Sequence, residues 1–181
     1  MRLFIGLMLS LETRKALEKV QTIALNNAFS KNPTLLDNFH LTLCFLGDTA
    51  IESIDQIVKS IESAIQSFHS FRIEISQIGS FQKGQEYIVF ANIVKGHKIL
   101  VDLSERIRQT IASIPLPYVE DEFVPHITLA RRVRFPHINM IELPNFEVIH
   151  EDINNIVLFE STRIHNTLTY LPIKIIPLNQ F

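Results

Sequence analysis

A four-residue phrase occurs twice in this chain, as His40-Leu41-Thr42-Leu43 and as His126-Ile127-Thr128-Leu129. Each copy lies in an alternating apolar run, His40 to Gly47 and Pro125 to Arg131. Alternation with a period of two marks a half-buried β-strand. Residues i and i+2 of a strand share a face, so each His stands beside its Thr. Leu41, Leu43 and Phe45, like Ile127 and Leu129, point the other way and are expected in a core. Each polar face then presents an imidazole and, about 6.6 Å along, a hydroxyl. Two such faces turned toward one another would set two imidazoles and two hydroxyls around one cleft.

The remaining pattern supplies a frame for such a cleft. Residues 2–9 read as a buried strand, followed by a helix that Ser10 caps and that turns Leu17, Val20 and Ala24 inward. Asn26–Asn38, broken by Pro33, reads as a loop. Apolar residues recur at helical spacing over about 50–67 and again over 97–114, where Pro115 and Pro117 end the second helix. Strands are expected at 71–78, 86–93, 146–150, 153–160 and 168–176. Helix and strands accompany each motif, and the order does not alternate strictly. The fold class this favours is α+β with mostly antiparallel pairing and approximate twofold internal symmetry.

A length of 181 residues suits one domain or two small lobes. A net charge of −2 argues against coating long nucleic acid, so any RNA should be gripped locally. Cys44 is the one cysteine and can form no intramolecular disulfide, which is compatible with a reducing cytosol. The apolar start is too short for a signal segment, and no run approaches the roughly 20 residues of a membrane span. A cytoplasmic protein without membrane association is the expectation.

Paired imidazoles suit reactions that take a proton from one atom and deliver one to another. An ordinary His pKa of roughly 6.5 lets one ring be neutral while its partner is cationic. A cyclic phosphate is a natural client: one His deprotonates the attacking water and the other protonates the departing ribose oxygen. Thr42 and Thr128 can donate to the non-bridging oxygens. Catalytic zinc usually takes three protein ligands and the motifs offer two histidines, so neither metal nor cofactor is expected. No Gly-rich phosphate loop ending in Gly-Lys is present, which disfavours an ATP-dependent enzyme. Cys44 shares the face of His40 under strict alternation and is read as a small buried hydrophobe. His69, His97, His137, His150 and His165 are read as surface residues.

With two motifs on two strands, the sequence resembles the two-histidine (2H) phosphoesterases, specifically the RNA 2′,3′-cyclic phosphodiesterase group long called 2′-5′ RNA ligases. The resemblance runs through Met1-Arg2-Leu3-Phe4-Ile5-Gly6-Leu7, Asn38 to Gly47, Ile78-Gly79-Ser80-Phe81 and Phe123 to Arg131. It implies one 2H domain over 1–181, bilobal, with two pseudo-symmetric interleaved lobes whose antiparallel sheets line a central groove and whose helices lie outside. It implies hydrolysis of an RNA-terminal 2′,3′-cyclic phosphate to a 2′-phosphate, with reversible 2′-5′ joining as the related reaction. His40 is then the proton donor and His126 the proton acceptor, with Thr42 and Thr128 beside them. Arg131 matches the family's Arg after the second motif and would hold phosphate through its fork. Strict alternation turns Arg131 away from His126 unless a bulge intervenes, and gives Arg132 and Arg134 the parity of His126. Phe81 is a candidate for stacking on a base. The expected partners are RNA ends or small nucleotides carrying the cyclic phosphate, met by a monomer. The rival readings are a phosphodiesterase for another cyclic or 2′-5′-linked nucleotide, and a non-catalytic RNA-end-binding module.

Overall fold

The computed structural model describes residues 1–116, 123–136 and 145–180. Pro117 and His137 lie outside the described residues.

β1 (Arg2–Met8) is buried along its five middle residues and occupies an interior position of the first sheet. Leu3, Ile5 and Leu7 are fully buried. Burial on that scale contributes about 1.5–3 kcal/mol per side chain. The sheet runs β3-β1-β8-β9, with β3 at His40–Asp48, β8 at Asn155–Ile164 and β9 at Thr167–Pro177. Gly6 is required where β1 meets the first motif, because a Cβ there would sit 2.6 Å from the carbonyl oxygen of Leu41.

The second sheet runs β2-β6-β5-β4-β7, with β2 at Ser30–Pro33, β4 at Phe71–Lys83, β5 at Glu86–Lys95, β6 at His126–Arg134 and β7 at Ile149–Ile153. Every strand pair in both sheets is antiparallel. Among the described residues the α-helices are α1 (Leu11–Ala24), α2 (Ile54–Ala64) and α3 (His97–Ile111). α1 leaves the first sheet and packs on β6 and β7 of the second, whereas α3 packs on β3 and α2 on β9 of the first. One continuous apolar core joins the two sheets.

Local chemistry explains these elements. Ser10 accepts the amide of Thr13 at 3.2 Å, and the buried carboxylate of Glu151 on β7 accepts both the amide and the hydroxyl of Ser10 at 2.7 Å. Thr13 also donates to Glu151. An acid at a helix N-terminus satisfies orphan amides and complements the helix dipole. Leu17, Val20 and Ala24 are buried as the spacing requires, and so are Ile57, Ile61, Leu100, Leu103, Ile107 and Ile111.

Two departures concern strand placement. The stretch read as a loop contains β2, an edge strand whose four residues are all exposed. Ser-Lys-Asn-Pro has neither apolar alternation nor β-branching, so pairing with β6 makes it a strand rather than propensity; Pro33 is tolerated because the strand is an edge. The strand expected at 146–150 lies at Ile149–Ile153, where it pairs with Phe71–Ile75 of β4.

Candidate active site

Each motif histidine opens its strand and is fixed in the same way. His40 Nδ1 lies 2.7 Å from the carbonyl of Asn38, and His126 Nδ1 lies 2.7 Å from the carbonyl of Val124. A carbonyl only accepts, so each Nδ1 carries the hydrogen and each neutral Nε2 presents a lone pair. In the first motif the Thr42 hydroxyl is 2.9 Å from Nε2 of His40. Nε2 of His126 makes no corresponding bond among the described residues.

The strands do not alternate strictly, and the exceptions build the groove. On β3, Thr42 pairs with Gly6 and Cys44 with Ile5, leaving Leu43 as an extra residue. On β6, Thr128 pairs with Phe90 and Ala130 with Val89, leaving Leu129 as an extra residue. A one-residue bulge flips the facing of everything beyond it. Both bulges fall on the fourth motif residue, and both displaced carbonyls are satisfied by buried helix side chains. Ser104 Oγ of α3 donates to Leu43 O at 2.7 Å, and Gln21 Nε2 of α1 donates to Leu129 O at 2.7 Å and to Thr34 O at 2.8 Å.

The flip overturns three facing assignments. Cys44 turns into the core, where burial pushes its thiol up to about 11 and leaves no nucleophile. Phe45, expected inside, is exposed on the groove side with the Arg2 guanidinium over its ring at 5.0 Å. Arg131 comes round to the groove; Arg134 instead pairs with Glu86 at 3.0 Å. A further bulge at Gln77 in β4, with φ of 64°, turns Phe81 from the core face toward His126. The Phe81 ring lies 5.2 Å from that imidazole and 4.3 Å from Phe90, which also flanks His126 at 5.2 Å. Gly79 leaves room for this group, since a Cβ there would meet the Phe90 ring at 2.5 Å.

His40 has its own aromatic surround. Phe4 lies at 4.9 Å, Tyr170 at 4.8 Å and Phe159 at 6.2 Å between ring centres. Burial there lowers its pKa to about 4, opposed by the Asn38 carbonyl and reinforced by the charges of Arg131 and His126. Burial, followed by Arg131, also lowers the pKa of His126, against the Val124 carbonyl. Two hollows open against His40, of about 310 and 340 Å³, and share His40, Arg131, Leu168 and Tyr170. Thr128 lines one and Thr42 the other; His126 is in neither lining, and it is linked to His40 through its charge.

Sequence reasoning missed Phe4, Phe90, Asn38 and Tyr170. Asn38 donates to Leu168 O at 2.7 Å and accepts from the Tyr170 amide at 3.1 Å, tying β9 to the loop that orients His40. The signal available was that Phe4 and Asn38 fall inside the stretches that carry the family resemblance. His69, His97, His150 and His165 are exposed. Among the described residues, no group of three or more His, Cys, Asp or Glu side chains gathers to hold a metal ion. Nor is any helix among them long and apolar enough to cross a membrane.

Two antiparallel sheets, each carrying one His-x-Thr motif toward a shared groove, define the two-histidine phosphoesterase class. Residues 11–148 match the family model of the 2′-5′ RNA ligase superfamily, and the chain belongs to that family. It is similar to the Thermotoga maritima protein named RNA 2′,3′-cyclic phosphodiesterase, with 28% identity over 153 residues, 82% of this chain and 81% of the relative. The Aquifex aeolicus protein of the same name is 25% identical over 131 residues, 69% of this chain and 70% of its own. The fold is shared with Escherichia coli LigT crystallised with 3′-AMP, at a TM-score of 0.86, 23% identity and coverage of 99% and 98%. It is likewise shared with a Thermus thermophilus protein, TT0787, at a TM-score of 0.82, 24% identity and 99% of both chains.

Proposed function

We propose that this protein hydrolyses RNA-terminal 2′,3′-cyclic phosphate to a 2′-phosphate, using His40 as proton donor and His126 as proton acceptor, without a metal. That it is a phosphodiesterase rests on its family and on relatives bearing that name. The observation that carries the mechanism is the matched Nδ1 anchoring of the two rings, which leaves proton transfer to the Nε2 atoms, that of His40 resting on the Thr42 hydroxyl.

In the step, a water oxygen attacks phosphorus while Nε2 of His126 takes its proton. The bond from phosphorus to the 3′ oxygen breaks, and that oxygen receives the proton from Nε2 of cationic His40. The product carries a 2′-phosphate and a 3′-hydroxyl; His126 ends protonated and His40 neutral. Exchange with groove water resets both. Each proton transfer is worth roughly 10²–10⁴-fold. Thr42 and Thr128 donate to the non-bridging oxygens, and Arg131 neutralises the phosphate. Phe81 positions His126 and offers a stacking face to a base.

Charging His40 against its low pKa needs a counter-anion, and the bound phosphodiester supplies one. Burial is the main force against protonation, and the substrate's negative charge offsets the charge of Arg131 that adds to it, while His126 stays neutral as the base. The donor is therefore armed by its own substrate. A 5′-hydroxyl in place of water gives 2′-5′ joining by the same transfers.

The test is turnover of adenosine 2′,3′-cyclic phosphate in excess EDTA, resolving 2′- from 3′-phosphate. The proposal expects undiminished 2′-product. A 3′-product would reverse the leaving group, loss of activity in chelator would require a metal, and binding without product would leave an RNA-end-binding module.

A further inference from the structure

We propose that a second hollow, beside the catalytic groove, binds an internal phosphodiester of the RNA strand on the 5′ side of the reacting end. This rests on the phosphodiesterase reading. The hollow measures about 320 Å³ and is lined by Lys83, Glu86, Tyr87, Ile88, Arg131 and Arg132. It lies outside the two hollows that contain His40 but shares Arg131 with both.

Consecutive residues of a regular strand face opposite sides. Arg131 and Arg132 nevertheless line the same hollow. Between Val89 and Tyr87 of β5, the facing chain advances from Ala130 to Val133, so β6 carries a second irregularity here. Arg132 sits in it at φ of 53°, a left-handed conformation that costs a non-glycine residue about 1 kcal/mol or more. The backbone thus accepts strain where two adjacent arginines line one hollow.

The charges at this place are uncompensated. Lys83, Arg131 and Arg132 form no ion pair among the described residues. Glu86 is the hollow's one acid, and its carboxylate is held by Arg134 at 3.0 Å. In a chain of net charge −2, three cations gathered without an acid of their own favour an anion. Position selects which anion. A strand whose terminal phosphate lies at His40 passes Arg131 to reach Lys83 and Arg132. Tyr87 lines the same hollow and offers an aromatic face, as single-strand binders commonly do.

The experiment compares wild type with Lys83→Ala, Arg132→Ala and the double variant, whose altered side chains are exposed. The substrates are adenosine 2′,3′-cyclic phosphate and a pentanucleotide ending in a 2′,3′-cyclic phosphate. The double variant should raise KM for the pentanucleotide about tenfold or more and leave the mononucleotide unchanged. The salt dependence of pentanucleotide kcat/KM should become shallower by about 0.7 in log–log slope for each phosphate pairing removed. Equal losses on both substrates, or none on either, would overturn the subsite. Affinity for a fluorescein-labelled pentanucleotide bearing a terminal 2′-phosphate, read by anisotropy, should fall in the same variants whether or not turnover occurs. Mononucleotide turnover without any gain from the longer strand overturns the subsite alone. Failure of wild type to turn over either substrate, with intact variant-sensitive pentanucleotide binding, overturns the phosphodiesterase reading and leaves the phosphate subsite standing.

Discussion

Five residues after its histidine, one motif strand carries Phe45 and the other Arg131. Three features before that position match: a carbonyl two residues upstream holding Nδ1, a threonine two residues on and an extra leucine three residues on. Geometry is duplicated across the groove while chemistry is divided. The β3 side is aromatic, with Phe4, Phe159 and Tyr170 around His40. The β6 side has Phe81 and Phe90 at His126 and brings in Arg131 where β3 has Phe45 beneath the Arg2 guanidinium. A repeated backbone device can thus hold two rings alike while their surroundings assign them different work.

The histidines test this division most severely. Replacing either with Ala should lower turnover of the cyclic mononucleotide at least about a hundredfold, with the circular dichroism spectrum unchanged. A phosphodiester with a p-nitrophenolate leaving group separates the roles, because that group departs without a proton. His40→Ala should then recover most of its loss and His126→Ala none. Equal losses for the two variants on both substrates would show that the roles are not divided.

Arg131→Ala should raise KM by about ten- to a hundredfold, the range of a lost charged hydrogen bond, and Phe45→Ala far less. The same substitution has a pH signature. Both histidines are held below 6.5, so kcat/KM should peak on the acid side of that value. Arg131 pushes both down; its removal should move the apex to higher pH. In wild type the basic limb of kcat should lie above that of kcat/KM, since bound phosphate favours cationic His40. Stability follows with a definite sign. The unfolded chain binds a proton at roughly 6.5 and folded His40 at about 4, so this contribution is full above pH 6.5 and fades as pH falls toward 4. Urea midpoints measured from pH 7 to 4 should fall less steeply in His40→Ala.

The smallest effects concern the bulges. Ser104→Ala leaves the buried Leu43 carbonyl without its side-chain donor, and Gln21→Met removes a donor from Thr34 O and one from Leu129 O, which keeps the Thr34 amide at 2.9 Å; each should cost about 1–3 kcal/mol by urea titration. Gln21→Met should also raise KM, because its bulge aims Arg131. In an Arg131→Ala background that rise should vanish, whereas additive losses would mean Gln21 serves the fold alone.

The periodic features were open to reading: the motif strands, the capped helix at Ser10 and the apolar faces of α2 and α3. Those depend on side chains whose spacing announces their partners. The facing of Phe45, Arg131 and Phe81 was hidden, because single extra residues at Leu43, Leu129 and Gln77 reset the period. Nothing in those three side chains marks a bulge. The carbonyl acceptors lie in the backbone, and the polar groups that satisfy two of them, Ser104 and Gln21, come from helices distant in sequence. β2 was hidden for the same reason, since its strand character belongs to the pairing.

The thread from Asn38 to β9 bears on when this site comes into being. Asn38 sets the carbonyl behind His40 but is itself held by Leu168 and Tyr170. During synthesis both histidines leave the ribosome well before those last strands do. A nascent chain therefore carries both histidines before the partners that hold Asn38 behind His40 have been made.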